Sequence, residues 1–401
     1  MSFSANVEKL KPSATIAVST LAKQLASEGR DILNLSAGEP DFDTPSFISD
    51  AAIQGIRSGR TRYTPPAGLP ELRKAIAAHL SQRAGRELDW QGVVVSAGAK
   101  QALFNAIFTL FGPGDDVLIA APYWTTYPDL VTLARAEPIA VFGQEGNDFK
   151  IGPEDLERAA TPATKGLVVN TPSNPTGAVY DADELEAIAS WCRDRGVWLI
   201  SDEIYRTIHH AGDGPAAGLL GLPGGSVGPS VVIDGASKGF AMTGWRIGFS
   251  WTEADVAKKF TALQSQITSN AATPSQVAAL AAYSDTQAAD ASVREMGEAF
   301  RRRRDLVCRR MGELLAEVPF VKPEGAFYLY FRVDGFFDQE VDSATEWCSR
   351  LLRDQGVALV PGAAFGDDRW VRMSYASSDE VLEDALARIA AMVGSTAKEI
   401  V

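Results

Sequence analysis

Between residues 93 and 251 the chain repeats one rhythm: a short apolar run rich in β-branched residues, a turn, then an amphipathic stretch. Strand candidates fall at 93–96, 116–120, 138–142, 166–170, 197–201, 230–234 and 247–251. Helical patterns such as 100–111 and 183–195 lie between them. Strands that alternate with helices in this way must run mainly parallel and be covered on both faces. The sequence therefore predicts an α/β fold whose large domain holds a mainly parallel seven-stranded sheet. Ligands of such sheets sit at the carboxyl ends of the strands, so residues just after each run are the first to inspect.

The stretch 211–230 holds seven glycines and three prolines. It reads as a surface loop between two sheet strands, because the rhythm resumes directly after it. A long polar helical pattern over 285–315 ends the repeat. Beyond it come strand candidates at 326–331, 358–360 and 371–375, separated by helices, which suits a smaller α+β domain. The predicted large domain is 46–285, with 286–401 in the small one.

A chain of 401 residues has room for both. Its net charge of −13 argues against nucleic-acid partners and anionic membrane surfaces. The one dense basic run, Arg301 to Arg304 with Arg309 and Arg310, is interrupted by acidic and apolar residues and reads as a solvated helix face. Cys192, Cys308 and Cys348 lack metal-ligand spacing and cannot form a disulfide framework, so a cytoplasmic, metal-free protein is expected. Residues 1–8 carry no leader pattern, and no apolar stretch approaches the ~20 residues needed to cross a bilayer. His79, His209 and His210 are the only histidines, so proton transfer must fall to another group.

That group is in the segment Gly235-Ala236-Ser237-Lys238-Gly239-Phe240-Ala241-Met242-Thr243-Gly244-Trp245-Arg246-Ile247-Gly248. A lysine in a turn of small residues, just after an apolar run, sits where a partly desolvated amine can form a Schiff base with an aldehyde. Small neighbours let a flat ligand approach the backbone, and Arg246 offers a planar fork for phosphate. An aldehyde and a phosphate are the two handles of pyridoxal 5′-phosphate (PLP). Taken alone, a Ser-Lys pair is more often a buried lysine stem. The segment as a whole resembles the cofactor-lysine signature of the class I aminotransferases, the aspartate aminotransferase-like branch of fold type I PLP enzymes.

Further motifs match that family, and their roles follow from the resemblance. Asp202, ending an apolar run in Ser201-Asp202-Glu203-Ile204-Tyr205, corresponds to the aspartate that keeps the pyridine nitrogen protonated. Tyr205 and Asn174, the latter in Thr171-Pro172-Ser173-Asn174-Pro175, correspond to donors to the ring's phenolic oxygen; the Asn174–Pro175 bond is expected to be cis. Gly98, Ala99 and Lys100 form a strand-to-helix turn whose backbone N–H groups suit a phosphate, a cup completed by Ser237 and Arg246. Trp124 corresponds to the indole stacked on the ring, and Tyr63 to a tyrosine reaching the neighbouring subunit's phosphate, which implies a homodimer. Arg372 corresponds to the clamp on the substrate α-carboxylate, with Gly38 adding a backbone N–H and Asn174 and Trp124 bordering the substrate.

The resemblance runs from Lys11-Pro12-Ser13 to Tyr375-Ala376 and implies that residues 1–45 pack on the small domain. It implies an aminotransferase working by ping-pong exchange, with Lys238 as acid/base. Lys100 and Thr15 resemble the subgroup using aspartate and 2-oxoglutarate, some of whose members also transaminate prephenate. An aromatic or kynurenine-type aminotransferase, or a PLP-dependent lyase on the same fold, would keep the same lysine and aspartate. A PLP-sensing regulator would carry a DNA-binding module ahead of this region, for which no room is expected.

Overall fold

The computed structural model describes residues 3–10, 12, 14–212, 214–222 and 228–399. Lys11 and Ser13 of the N-terminal motif, and 213 and 223–227 of the Gly-rich loop, lie outside the described residues. Thirteen strands form three sheets among the described residues. In chain order these are β1 (Leu33–Asn34), β2 (Val93–Ala97), β3 (Asp116–Ala121), β4 (Glu137–Phe142), β5 (Thr164–Asn170), β6 (Trp198–Asp202), β7 (Ser230–Gly235) and β8 (Ile247–Trp251). After them come β9 (Phe320–Val321), β10 (Tyr328–Arg332), β11 (Val357–Ala358), β12 (Val360–Pro361) and β13 (Trp370–Ser374).

The large sheet has the order β2-β8-β7-β6-β5-β3-β4, and β8 alone runs against its neighbours. This is the predicted seven-stranded, mainly parallel sheet. Its two faces are buried separately, as period-2 side-chain alternation requires. Val93, Val95, Leu167, Val169 and Leu199 enter one core, whereas Val94, Val168, Ile200, Val231 and Ile233 enter the other.

Chain ends build the second layer. The antiparallel sheet β12-β13-β10-β9 and the parallel pair β1-β11 share a core containing Leu35, Phe327, Leu351, Met373 and Leu386. Residues 33–34 therefore pair with 357–358, far away in sequence. The helix Thr286–Leu314 joins the layers: Ala289 packs in the large-sheet core, whereas Met296, Phe300 and Val307 pack in the other.

Three expectations need correcting. The Gly-rich stretch is not a surface loop throughout, because Leu219 and Leu220 are at most 2% exposed and complete the large-sheet core. The run at 358–360 is two strands, since the chain leaves β1 after Ala358 and joins β13 at Val360. The basic run is not simply a solvated face either. Arg303 is buried against Asp41 through two 2.7 Å bonds, and buried Arg304 pairs with Asp305 and with the Pro323 carbonyl. No helix among the described residues is long and apolar enough to cross a membrane.

Candidate active site

Three backbone segments meet beneath the key lysine. Strand β7 ends at Gly235, which pairs with Gly248 of β8, and the helical turn Ala236–Gly239 then presents Lys238. A Cβ on Gly248 would lie 2.1 Å from the Ala99 nitrogen, so this glycine lets the turn before the helix Ala99–Leu110 rest directly on the strand. Gly98 has φ +84° and a Cβ there would lie 2.5 Å from Arg246 Nη2, so this position also requires glycine. Arg246 itself is held at φ +57°, with Nη1 donating to the Thr243 carbonyl at 2.8 Å. Gly235 and Gly248 of the lysine segment thus bring backbone against backbone. The first N–H groups of the helix Ala99–Leu110 face this junction with no carbonyl of their own helix to bond.

A cavity of about 260 Å³ opens at the carboxyl ends of these strands. Thr15, Gly38, Ala99, Lys100, Trp124, Asn174, Asp202, Tyr205, Ser237, Lys238, Arg246 and Arg372 all line it. Gly98 supports the wall through its contact with Arg246. Tyr63 is not in this cavity; its side chain is 90% exposed.

Inside the cavity each charged group is held in a distinct way. Lys238 Nζ donates to the Gly38 carbonyl at 2.5 Å, and burial pulls its pKa down to about 8. Gly38 therefore presents its carbonyl to the lysine. Asp202 is 2% exposed, and burial raises its pKa to about 6. That rise is opposed by Tyr127 Oη donating to Oδ2 at 2.7 Å and by the Ile204 N–H donating to Oδ1 at 3.2 Å. Arg372 is 1% exposed; Nη1 donates to Asn174 Oδ1 at 2.9 Å and Nη2 to the Ser36 carbonyl at 2.8 Å. Its Nε is buried with no partner among the described residues, which leaves a donor for an incoming anion. Lys100 sits at the rim over the Trp124 ring, 4.9 Å from its centroid, and partial burial followed by the Arg246 charge lowers its pKa.

Asn174–Pro175 is cis, as expected, and so are Ala121–Pro122 and Thr171–Pro172. Two buried tyrosines of the cavity were missed. Tyr127 lies three residues after Trp124 and packs edge-on against it at 5.4 Å, so helical spacing was the available signal. Tyr328 comes from β10, and nothing local in Ala326-Phe327-Tyr328-Leu329 marks it as more than core. Among the described residues no cluster of His, Cys, Asp or Glu could hold a metal ion.

The residues fit a flat aldehyde bearing a phosphate: a partly buried amine, a buried carboxylate in the same cavity, and a cradle of helix N–H groups and Arg246 that a Cβ at Gly98 would fill. Comparison with known proteins agrees. The profile of the family described as Aminotransferase class I and II matches residues 30–389. An aspartate aminotransferase from Geobacillus stearothermophilus is 41% identical, covering 97% of this chain and 98% of its own. An aspartate/prephenate aminotransferase from Thermus thermophilus is also 41% identical, with 98% of both chains covered. The solved structure of the aspartate aminotransferase from Thermus thermophilus with maleate superposes with a TM-score of 0.91 at 39% identity, over 98% of this chain and all of that one.

Proposed function

The chain belongs to the class I and II aminotransferases, a family of PLP-dependent enzymes, and from that premise we propose that it exchanges the amino group of aspartate with 2-oxoglutarate. The single observation that carries the substrate choice is Lys100, a cation on the rim of the same cavity that holds the buried Arg372. Two separated cations suit a dicarboxylate, one for the α-carboxylate and one for the side chain. A relative's structure with maleate, a dicarboxylate, and the names of the aspartate aminotransferases support this. The aspartate/prephenate relatives support prephenate, also a dicarboxylate, as a second acceptor.

Bound PLP supplies a pyridine ring that accepts the electron pair left when an amino acid loses its Cα proton. Lys238 would bind the aldehyde and, once its amine is released, would carry the proton from the substrate Cα to the cofactor's C4′ in the first half of the exchange and in the opposite direction in the second. In the cofactor-free site burial already pulls this amine's pKa down to about 8, toward the range that proton transfer near neutral pH calls for. Asp202 would keep the ring nitrogen protonated, and the Tyr127 hydrogen bond favours its ionised form against its dry surroundings. Tyr205 and Asn174 would donate to the phenolic oxygen, and Trp124 would cover the ring. Ser237, Arg246 and the N–H groups of Ala99 and Lys100 would hold the phosphate beside Gly98. Arg372 clamps the α-carboxylate, supported by Gly38 and bordered by Thr15. Replacing Lys100 by alanine should cut kcat/KM for aspartate about tenfold or more and leave phenylalanine nearly unchanged. Equal losses for both would refute the assignment.

The proposed small domain comprises 1–45 and 286–401, and the proposed location is the cytoplasm, in keeping with free Cys192, Cys308 and Cys348. The active unit proposed is a homodimer. Tyr63 points away from its own cavity although its loop is pinned by buried Gln264 and Gln276, through bonds to Pro66 and Thr64. A mass in solution of 42.9 kDa rather than twice that value would contradict the dimer.

A further inference from the structure

Tyr328 has no part in the chemistry just described, yet it touches three of its components. Its hydroxyl lies 2.8 Å from that of Tyr205. Its ring supports Arg372, whose guanidinium carbon is 4.4 Å from the centroid. Its Oη lies 3.1 Å from where a Cβ on Gly38 would stand. It is fully buried on β10, next to the strand that carries Arg372, and it lines the cavity. No other hydrogen-bond partner of its hydroxyl exists among the described residues.

We propose that Tyr328 is a positioning residue that donates its proton to Tyr205, so that Tyr205 directs its own proton at the phenolic oxygen of the cofactor. The inference rests on the PLP reading above. A phenol carries one proton and can also accept, so two facing phenols can be wired in only two ways. If Tyr205 donates to Tyr328, its proton is used and an anionic oxygen at Tyr205 would meet only lone pairs. If Tyr328 donates, Tyr205 is both acceptor and donor, and each bond polarises the other. An anionic acceptor selects the second arrangement. The Arg372 charge over the Tyr328 ring acts in the same direction, because a cation on the ring face draws electron density from the phenol and strengthens it as a donor. The clamp on the substrate and the donor to the cofactor are thereby joined through one side chain.

The test is a pH titration of the visible absorbance of the PLP-loaded protein in four forms: wild type, Tyr205→Phe, Tyr328→Phe and the double variant. Phenylalanine at 328 keeps the ring under Arg372 and removes only the hydroxyl. A donor to the phenolic oxygen favours its anionic form, so weakening that donor raises the pH midpoint. Tyr328→Phe should raise it by about half a pH unit or more. In the Tyr205→Phe background the same substitution should add nothing. A midpoint unmoved by Tyr328→Phe, or a shift that persists without the Tyr205 hydroxyl, would overturn the proposal. Failure of the wild type to take up PLP at all is a separate result, and it would overturn the reading of the site itself.

Discussion

Lys238 is bonded to a backbone carbonyl, not to a carboxylate, so no anion at hydrogen-bond distance offsets the burial of its charge, and the Glu39 carboxylate opposes it only in part. This gives the cofactor-free protein a pH dependence of known sign. The folded-state pKa of about 8 lies below the ordinary 10.5, so the unfolded chain binds the extra proton between these values and stability rises with pH across that window. Below pH 8 both states are charged and the full burial cost is present, of the order of 3 kcal/mol. Lys238→Met should therefore stabilise the cofactor-free protein at pH 7, and the gain should shrink as pH climbs toward 10.5. Urea unfolding of both proteins at several pH values would show it, and a gain independent of pH would contradict the assignment. The placement of Lys238, Asp202 and Arg246 in one cavity was legible because each sits in a local motif beside an apolar run. Tyr127 and Tyr328 were not, since each acts on a residue 75 or 123 positions away and looks locally like core.

At the scale of elements, the strands were legible because both faces of the large sheet are buried, which forces continuous apolar runs. Where glycine content dominated, the signal failed: the leucines at 219 and 220 fill the core from within a stretch whose composition says loop. In the lysine segment Gly235 and Gly248 have a packing task as well: they let β7, β8 and the turn at Gly98–Ala99 stack backbone on backbone. Gly248→Ala tests this, because the added methyl would meet the Ala99 nitrogen at 2.1 Å, and backbone cannot swing aside as a side chain does. The expected outcome is a loss of about 1–3 kcal/mol in unfolding free energy together with weaker retention of PLP. Unchanged affinity in a destabilised variant would detach the turn from phosphate binding.

Across the whole molecule the site is a joint product of both layers. Lys238, Trp124 and Asn174 follow strands of the large sheet and Asp202 ends one, whereas Arg372 and Tyr328 stand on β13 and β10 of the smaller one. Arg372 bridges them by bonding Asn174 on one side and Ser36 on the other, and Arg303 ties Asp41 of the N-terminal segment to the connecting helix. The sequence pattern announced two units but not this stitching, which depends on contacts between residues hundreds of positions apart. Catalysis by such a site requires that an amino donor alone complete half of the exchange. The most direct measurement is to mix PLP-loaded protein with excess aspartate and no oxo acid, following visible absorbance and released oxaloacetate. The account predicts loss of the yellow colour with one oxaloacetate per site, and return of the colour on adding 2-oxoglutarate. A yellow protein that aspartate leaves unchanged, releasing no oxaloacetate, would contradict it.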